Sequence, residues 1–214
     1  RHVFMSGEAA RASDCALFHC LVKCKLHNLY GPTEASIDVT SWQSTCDATK
    51  LFDVPIGRPI ANTACFVVHP NSLVVQPIGV PGELLIGGVG LARGYHNRPE
   101  LTAEKFIPNP FGDGRLYRTG DLVRWRGDGN LEFLGRIDFQ VKLRGHRIEL
   151  GEIEGVVCEL EGVTSAIAMV HEDRLVCVVV PCTVDGDGVR QALRSKLPAY
   201  MVPSCVVCCD TLPV

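Results

Sequence analysis

Residues 135–154 read GRIDFQVKLRGHRIELGEIE, and how this stretch divides decides the fold on either side of it. Gly135-Arg136 closes a run of strand-like segments, and Asp138 follows after one apolar residue. Val141 and Leu143 then alternate with Lys142 and Arg144, as in a half-buried strand. Gly145 permits a turn that residues with side chains resist. From Glu149 to Glu161, the apolar residues Leu150, Ile153, Val157 and Leu160 recur at helical spacing. A strand, a basic-glycine turn and an amphipathic helix in close succession predict a hinge, with one domain ending before it and a smaller unit beginning after it.

Downstream, 163–170 and 174–181 read as apolar strands around a His171–Arg174 turn. Val189 to Leu197 reads as a second helix, Leu197 to Pro203 as a proline-bounded loop, and 204–209 as a last strand. The order β-α-β-β-α-β predicts a small α+β unit. Upstream, proline and glycine punctuate short strands at Cys65–His69, Leu73–Gln76, Glu83–Gly87, Leu116–Thr119, Leu122–Trp125 and Asn130–Leu134. Such spacing predicts a small barrel or distorted sheet. Residues 2–6 and Lys25–Tyr30 read as strands. Between them, residues 9–25 have helix-compatible content, with Ala16, Cys20 and Lys23 or Cys24 at turn spacing. Gly87 to Gly94 (GGVGLARG) contains the glycines of a dinucleotide loop but lacks the helix that should follow at once, so it is read as a bend between strands. Pro99-Glu100 starts a helix, running to about Phe106, with proline and an acid in its first turn.

The chain has 214 residues, 46% hydrophobic and 21% charged, with a net charge of -3. That balance supports a sizeable core and gives no basic field for nucleic acid. No apolar run approaches the roughly 20 residues of a membrane helix. Eleven cysteines include Cys46 and one Cys-x-x-Cys at 205 and 208. A zinc site would want a second such pair or close histidines. Cys65, Cys177 and Cys205 lie among valines, where a thiol serves as a small hydrophobe, so reduced structural thiols are expected. Arg1 in place of methionine and the Leu-Pro-Val ending point to an internal fragment.

Two turns carry chemistry. In Tyr30-Gly31-Pro32-Thr33-Glu34, a ring ends a strand, Gly31 and Pro32 turn the backbone, and a hydroxyl and a carboxylate follow. Open α/β sheets bind ligands beyond such strand ends. A ring for a base, a hydroxyl for a phosphate and a carboxylate for Mg²⁺ would suit a nucleotide; a surface turn with a solvated glutamate fits as well. In Tyr117-Arg118-Thr119-Gly120-Asp121, the carboxylate is placed to accept two ribose hydroxyls, or to hold its own backbone in an Asx-turn.

Five stretches occur in order: NLYGPTE (28–34), GELLIGGVGLARGYHNRPELTAEKF (82–106), YRTGDL (117–122), residues 135–154 and LPAYMVP (197–203). Together they resemble the adenylation domains of nonribosomal peptide synthetases, in the adenylate-forming superfamily, over essentially the whole chain. The resemblance implies an α/β and α+β fold. Residues 1–137 would be the C-terminal part of the large subdomain, with an α/β part at 1–54 and a small distorted β-barrel at 55–137. Residues 138–214 would be a truncated small α+β subdomain, joined by a hinge. It implies an enzyme that joins an amino acid carboxylate to the α-phosphate of ATP with Mg²⁺. The aminoacyl group then passes to the phosphopantetheine thiol of a peptidyl carrier protein domain, beside a condensation domain, in the cytoplasm, without nucleic acid or membrane. Carried over by position, Asn28, Leu29, Tyr30, Gly31, Thr33, Asp121, Phe133 and Arg136 would bind nucleotide. Tyr30 would lie on adenine, Thr33 at the phosphate and Asp121 at the ribose. Glu34 would hold Mg²⁺, Asp138 would be the hinge, and Lys142 and Gly145 would line the pantetheine path.

Phe4, Ser6, Leu29, Ile37 and Asp38 would line the amino acid pocket; Ser6, Leu29, Ile37 and Asp38 resemble the lining of serine-activating domains, while Phe4 is bulkier than the aliphatic residue expected there, which leaves threonine or another small polar residue open. A pocket built for a hydroxyl rejects analogues that lack it. The family's glycine-rich phosphate loop would lie before Arg1 and its adenylate-neutralising lysine after Val214, so the fragment alone is expected to be inactive. The alternatives are an acyl-CoA or aryl-acid ligase of the same superfamily and a non-catalytic relic. Against the relic stand Thr33, Glu34, Asp121 and Arg136, all intact.

Overall fold

A computed structural model describes residues 1–44, 54–138 and 140–212; Cys46, Pro213 and Val214 lie outside them. The chain divides into two compact units, Arg1–Asp138 and Phe139–Val214.

The first unit opens with β1 (His2–Met5), α1 (Ala12–Leu21) and β2 (Lys25–Tyr30), the two strands pairing in parallel. β3 (Thr40–Ser44) adds antiparallel to β2, and the short β4 (Arg58–Pro59) to β3. α1 buries Cys15 against Leu26 and Val54, with Ala12 and Phe18 beside them. Its inward stripe is therefore Ala12, Cys15 and Phe18, and Cys20 of the expected stripe is exposed.

A second sheet follows: β5 (Thr63–Val68), β6 (Gly82–Gly88), β7 (Phe106–Pro108), β8 (Arg115–Trp125) and β9 (Leu131–Arg136). β6 lies between β5 and β8. The far edge of β8 pairs with β7 through its first residues and with β9 through its last. Among the described residues this sheet is open, where the sequence suggested a small barrel. The helix α2 (Pro99–Lys105) leads into β7. Residues 73–76 form no strand; their one sheet contact is a bridge from Val75 to Val68. The strands expected at 116–119 and 122–125 are a single strand. Gly120, at φ +70°, bulges without ending it, because β6 and β9 hold the ladder on both sides.

In the second unit, β10 (Gln140–Leu143) and β11 (His146–Glu149) form a hairpin closed by Arg144 and Gly145. Both turn residues have positive φ, the twist that two-residue hairpin loops favour. β11 is the strand the sequence reading missed. His-Arg-Ile-Glu has only one inward apolar residue, Ile148, so its period is invisible. The order is therefore β-β-α-β-β-α-β. α3 (Leu150–Cys158) starts and ends within the span expected of it. β12 (Ser165–His171), β13 (Arg174–Val180), α4 (Gly186–Lys196) and β14 (Cys205–Cys208) complete the unit. β13 is the central strand, antiparallel to β12 and parallel to β14.

The residues buried on β12 and β13 are Ala166, Ala168, Leu175, Cys177 and Val179, whose registers put them on one face. Ile153 and Val157 of α3 and Val189 and Leu193 of α4 pack against them. This is one helical layer over one sheet layer. The ten described cysteines form no disulfide. Cys205 and Cys208 sit three apart on one strand, which sends their side chains to opposite faces. Among the described residues no group of three or more His, Cys, Asp or Glu could hold a metal ion, and no helix is long and apolar enough to cross a membrane.

The two-layer core sets an expectation. Ile153→Ala, at a fully buried position, should lower the unfolding free energy by about 2–5 kcal/mol in a urea titration. Met169→Ala, on the open face of β12, should cost less than about 1 kcal/mol. Equal losses would show that the second face is covered as well.

Candidate active site

The site begins where β2 ends. Its alternation turns Leu26, Asn28 and Tyr30 into the core. The Asn28 amide donates to the Pro55 carbonyl at 2.8 Å, which fixes the strand's end. Residues 31–38 then leave the sheet and return, because the Val39 amide donates to the Tyr30 carbonyl at 2.7 Å. Gly31 makes the excursion possible: a Cβ there would overlap the Ile37 carbonyl. Thr33 to Ala35 form one 3-10 turn, and Ser36 and Ile37 follow at φ +61° and +77°. A β-branched residue there is strained. The loop is braced from outside. Ser36 Oγ donates to the Gly90 carbonyl, and the Ala92 amide to the Glu34 carbonyl. The glycine-rich stretch 87–94 is thus a buttress to this loop, and no helix follows it until Pro99.

Asp121 lies at the centre. It is 3% exposed, and its two oxygens have different partners. Oδ2 accepts the Tyr30 hydroxyl, and Oδ1 accepts Arg136 Nη1 at 2.7 Å. Burial, with the Asp121 charge second, pushes the Tyr30 hydroxyl well above its usual range, so it stays protonated and donates. The Arg136 guanidinium, 11% exposed, also donates to both oxygens of Asp138, from Nε at 2.5 Å and Nη2 at 2.6 Å, and to the Thr119 carbonyl at 3.1 Å. Phe133 lies beside Tyr30, ring centroids 6.5 Å apart. The hydroxyl of Thr119 accepts the Asp121 amide at 2.9 Å.

Glu34 belongs to a second group. Its Oε1 accepts the Tyr95 hydroxyl at 2.7 Å, and that hydroxyl lies 3.4 Å from the hydroxyl of Tyr117. Burial first, and then these two contacts, raise the Tyr95 hydroxyl. Glu34 is therefore anchored at one oxygen and half-buried, while Thr33 is exposed.

The expected amino acid pocket divides in two. Phe4 stacks on His27, centroids 5.1 Å apart, and is 62% exposed. Leu29, two residues after His27, shares that face of β2, with Ser6 just past β1. Ile37 and Asp38 stand on the returning loop. Ile37 is 66% exposed, but Asp38 Oδ1 is buried with no hydrogen-bond partner among the described residues. Lys142 and Gly145 belong to the second unit, on β10 and its hairpin turn.

The structure thus joins Tyr30, Asp121, Phe133, Arg136 and Asp138 in one cluster and sets Glu34 in another. Tyr95 and Glu83 escaped the sequence reading. Tyr95 lay in an apparent loop. Glu83 could have been found as the one charge in an otherwise apolar strand, 82–88, which asks for a buried partner.

Comparison with known proteins gives these residues a family. Residues 1–96 match the family described as AMP-binding enzyme. Tyrocidine synthase 1 of Brevibacillus parabrevis is 49% identical over 199 residues, which cover 90% of this chain and 18% of that protein. The structure of PA1221, an NRPS protein containing adenylation and PCP domains, superposes over 100% of this chain and 44% of that one. Its TM-score is 0.86 at 31% identity. The Vibrio cholerae adenylation domain AlmE, in complex with glycyl-adenosine-5'-phosphate, covers 100% of this chain and 42% of its own. Its TM-score is 0.88 at 31% identity. The chain therefore spans less than a fifth of the curated relative and less than half of each solved structure.

The cluster makes a stability claim. Arg136→Met strands the buried Asp121 charge and should cost about 3–5 kcal/mol in a urea titration. Lys196→Met, whose side chain is 42% exposed and whose partner Glu159 is 68% exposed, should cost about 1 kcal/mol or less. Equal costs would mean that Arg136 is an ordinary surface pair.

Proposed function

The chain belongs to the AMP-binding adenylation domains of the nonribosomal peptide synthetases, and from that premise we propose amino acid activation as the function of the enzyme that contains it. The substrate carboxylate attacks the α-phosphate of ATP, forming an aminoacyl adenylate and releasing pyrophosphate. The aminoacyl group then passes to the phosphopantetheine thiol of a carrier protein domain, with a condensation domain alongside, in the cytoplasm. The observation that carries the reading is the Asp121 carboxylate, fixed by Tyr30 and Arg136 in one cluster with Asp138. A carboxylate offers about four acceptor directions, and one held this firmly at a strand's bulge suits the vicinal hydroxyls of a ribose. Phe133 and Tyr30 give the nucleoside an aromatic neighbourhood, and Asn28, Leu29 and Gly31 shape the strand end beneath it.

Thr33, exposed at the loop's tip, donates to the phosphates. Glu34 is positioned by Tyr95. A carboxylate beside a hydroxyl is a hard-oxygen set that fits Mg²⁺, which takes one or two carboxylates and fills the rest of its shell with phosphate and water. When bound, the ion would neutralise charge on the transferring phosphate. Asp138, at the end of the first unit, is the proposed hinge, and a short hinge can serve two half-reactions in turn. Lys142 and Gly145 are assigned to the pantetheine path.

Serine is the proposed substrate. A buried acceptor without a donor is costly, and Asp38 Oδ1 has no donor among the described residues. A ligand that brings a hydroxyl or an ammonium relieves it, which favours a small polar amino acid over an aryl or fatty acid. Ser6 supplies a second polar contact, and Phe4, Leu29 and Ile37 supply the apolar wall.

The test is ATP–pyrophosphate exchange by a protein holding this chain and the flanking parts of its gene, over a panel of amino acids. Serine should give the highest exchange, and Glu34→Gln should lower it by about a hundredfold or more. A clear preference for a large apolar amino acid would overturn the serine assignment. Exchange unaffected by Glu34→Gln would overturn the metal role.

A further inference from the structure

Asp121 sits on a bulge: on one side β9 holds it, through its pairing with Arg136 and the Ile137 amide on the Gly120 carbonyl at 2.8 Å, but on the β6 side something other than the strand ladder has to place it. Glu83 of β6 pairs with Leu122, and Leu85 pairs with Arg118. Residues 119–121 therefore stand opposite Leu84 alone, and such extra residues lose their ladder bonds. Replacements come from side chains. Glu83, 3% exposed, accepts Arg118 Nη2 at 2.6 Å and Nε at 3.2 Å through Oε2. Its Oε1 accepts the backbone amide of Gly120 at 3.3 Å. Arg118 also donates to the Pro70 carbonyl at 2.9 Å. On the other side, the Thr119 hydroxyl donates to the Leu84 carbonyl at 2.7 Å while accepting the Asp121 amide.

The bulge has no slack at its tip. A Cβ on Gly120 would lie 2.7 Å from Asp138 Oδ2 and 2.9 Å from Arg136 Nη2. A small displacement of Gly120 is therefore felt at once by the guanidinium that grips Asp121. The same strand offers a contrast. Arg124 and Glu132 form a similar cross-strand pair, Glu132 5% exposed. Arg124 donates to Glu132 from Nε at 2.8 Å and from Nη2 at 3.2 Å, a bond between side chains of two strands. Two buried glutamates of one sheet thus do different work. One fastens two strands, and the other fastens the backbone that carries Asp121.

We propose that Glu83 is a positioning residue for nucleotide binding: with Arg118, it fixes the Gly120 amide and so holds the Asp121 carboxylate in place for the ribose hydroxyls. This rests on the reading of Asp121 given above, and it assigns to Glu83 and Arg118 a role in the affinity for one part of the nucleotide.

The experiment is pyrophosphate exchange by the same extended protein, with KM and kcat measured for ATP and for 2′,3′-dideoxyATP, which lacks both ribose hydroxyls. Glu83→Gln keeps the size and one acceptor but loses the charge. It should raise the KM for ATP by about tenfold, the scale of one weakened hydrogen bond to a charged group. The KM for 2′,3′-dideoxyATP should stay within about twofold, and so should kcat at saturation. Arg118→Lys keeps the charge without the fork; it should shift the ATP KM in the same direction by less, and it provides the same readout where Glu83→Gln does not fold. Glu132→Gln is the comparison: it should lower the melting temperature without changing the ratio of the two KM values. The inference is overturned if Glu83→Gln and Arg118→Lys leave that ratio unchanged, or raise both KM values together, the result of a loosened sheet. Asp121→Asn separates the two levels. If it leaves the ratio unchanged as well, the ribose reading itself falls. If it collapses the ratio while Glu83→Gln does not, only the role of Glu83 falls.

Discussion

The guanidinium of Arg136 meets Asp121, Asp138 and the Thr119 carbonyl within one side chain's reach, and the geometry of the first unit's end follows from that meeting. Two carboxylates so near each other repel unless a cation lies between them, and a carboxylate as buried as that of Asp121 is costly unless paired. The planar fork of arginine can serve both at once, where the single ammonium of a lysine could not match the bidentate contact to Asp138. Gly120 completes the arrangement by having no side chain to intrude. The register that pairs Asp121 with Arg136 across β8 and β9 supplies the closeness, and the hydroxyl of Tyr30, kept protonated by burial, occupies the other carboxylate oxygen. Strand pairing, burial and charge agree on one conformation for these side chains.

Around this core the loops are held by bonds that cross long stretches of sequence. The excursion after Tyr30 carries an unfavourable left-handed pair at Ser36 and Ile37. It is supported by the Gly90 and Ala92 contacts and by Tyr95. Strain of this kind persists where surrounding structure over-determines it. Here the strained pair separates Thr33 and Glu34, which precede it, from Asp38, which follows it. Under the proposed function these are the phosphate, metal and amino acid contacts, so one braced loop would serve three parts of the reacting complex.

Much of this was legible in the sequence, for identifiable reasons. β2, β12 and β13 alternate or run apolar with clear ends, and α3 and α4 repeat at helical spacing, so the elements could be placed. Tyr30, Asp121 and Arg136 stand at motif positions that can be read as chemistry. What stayed hidden was long-range or exceptional. Gly120 reads as a turn because the sequence does not reveal that β6 and β9 carry β8 past it. β11 has too few inward residues to show a period. Residues 73–76 are apolar enough for a strand but have only one bridge to a partner. The roles of Glu83 and Tyr95 depend on partners 35 and 61 residues away, a distance at which local pattern is silent.

The account turns on Asp121 as the ribose contact, and the most direct measurement is the structure of the extended enzyme with AMP bound. It should show both ribose hydroxyls within hydrogen-bond distance of the Asp121 carboxylate, with Arg136 still paired to it. A ribose held elsewhere, with no hydroxyl on the Asp121 carboxylate, would contradict the account and reduce the cluster to a structural ion pair.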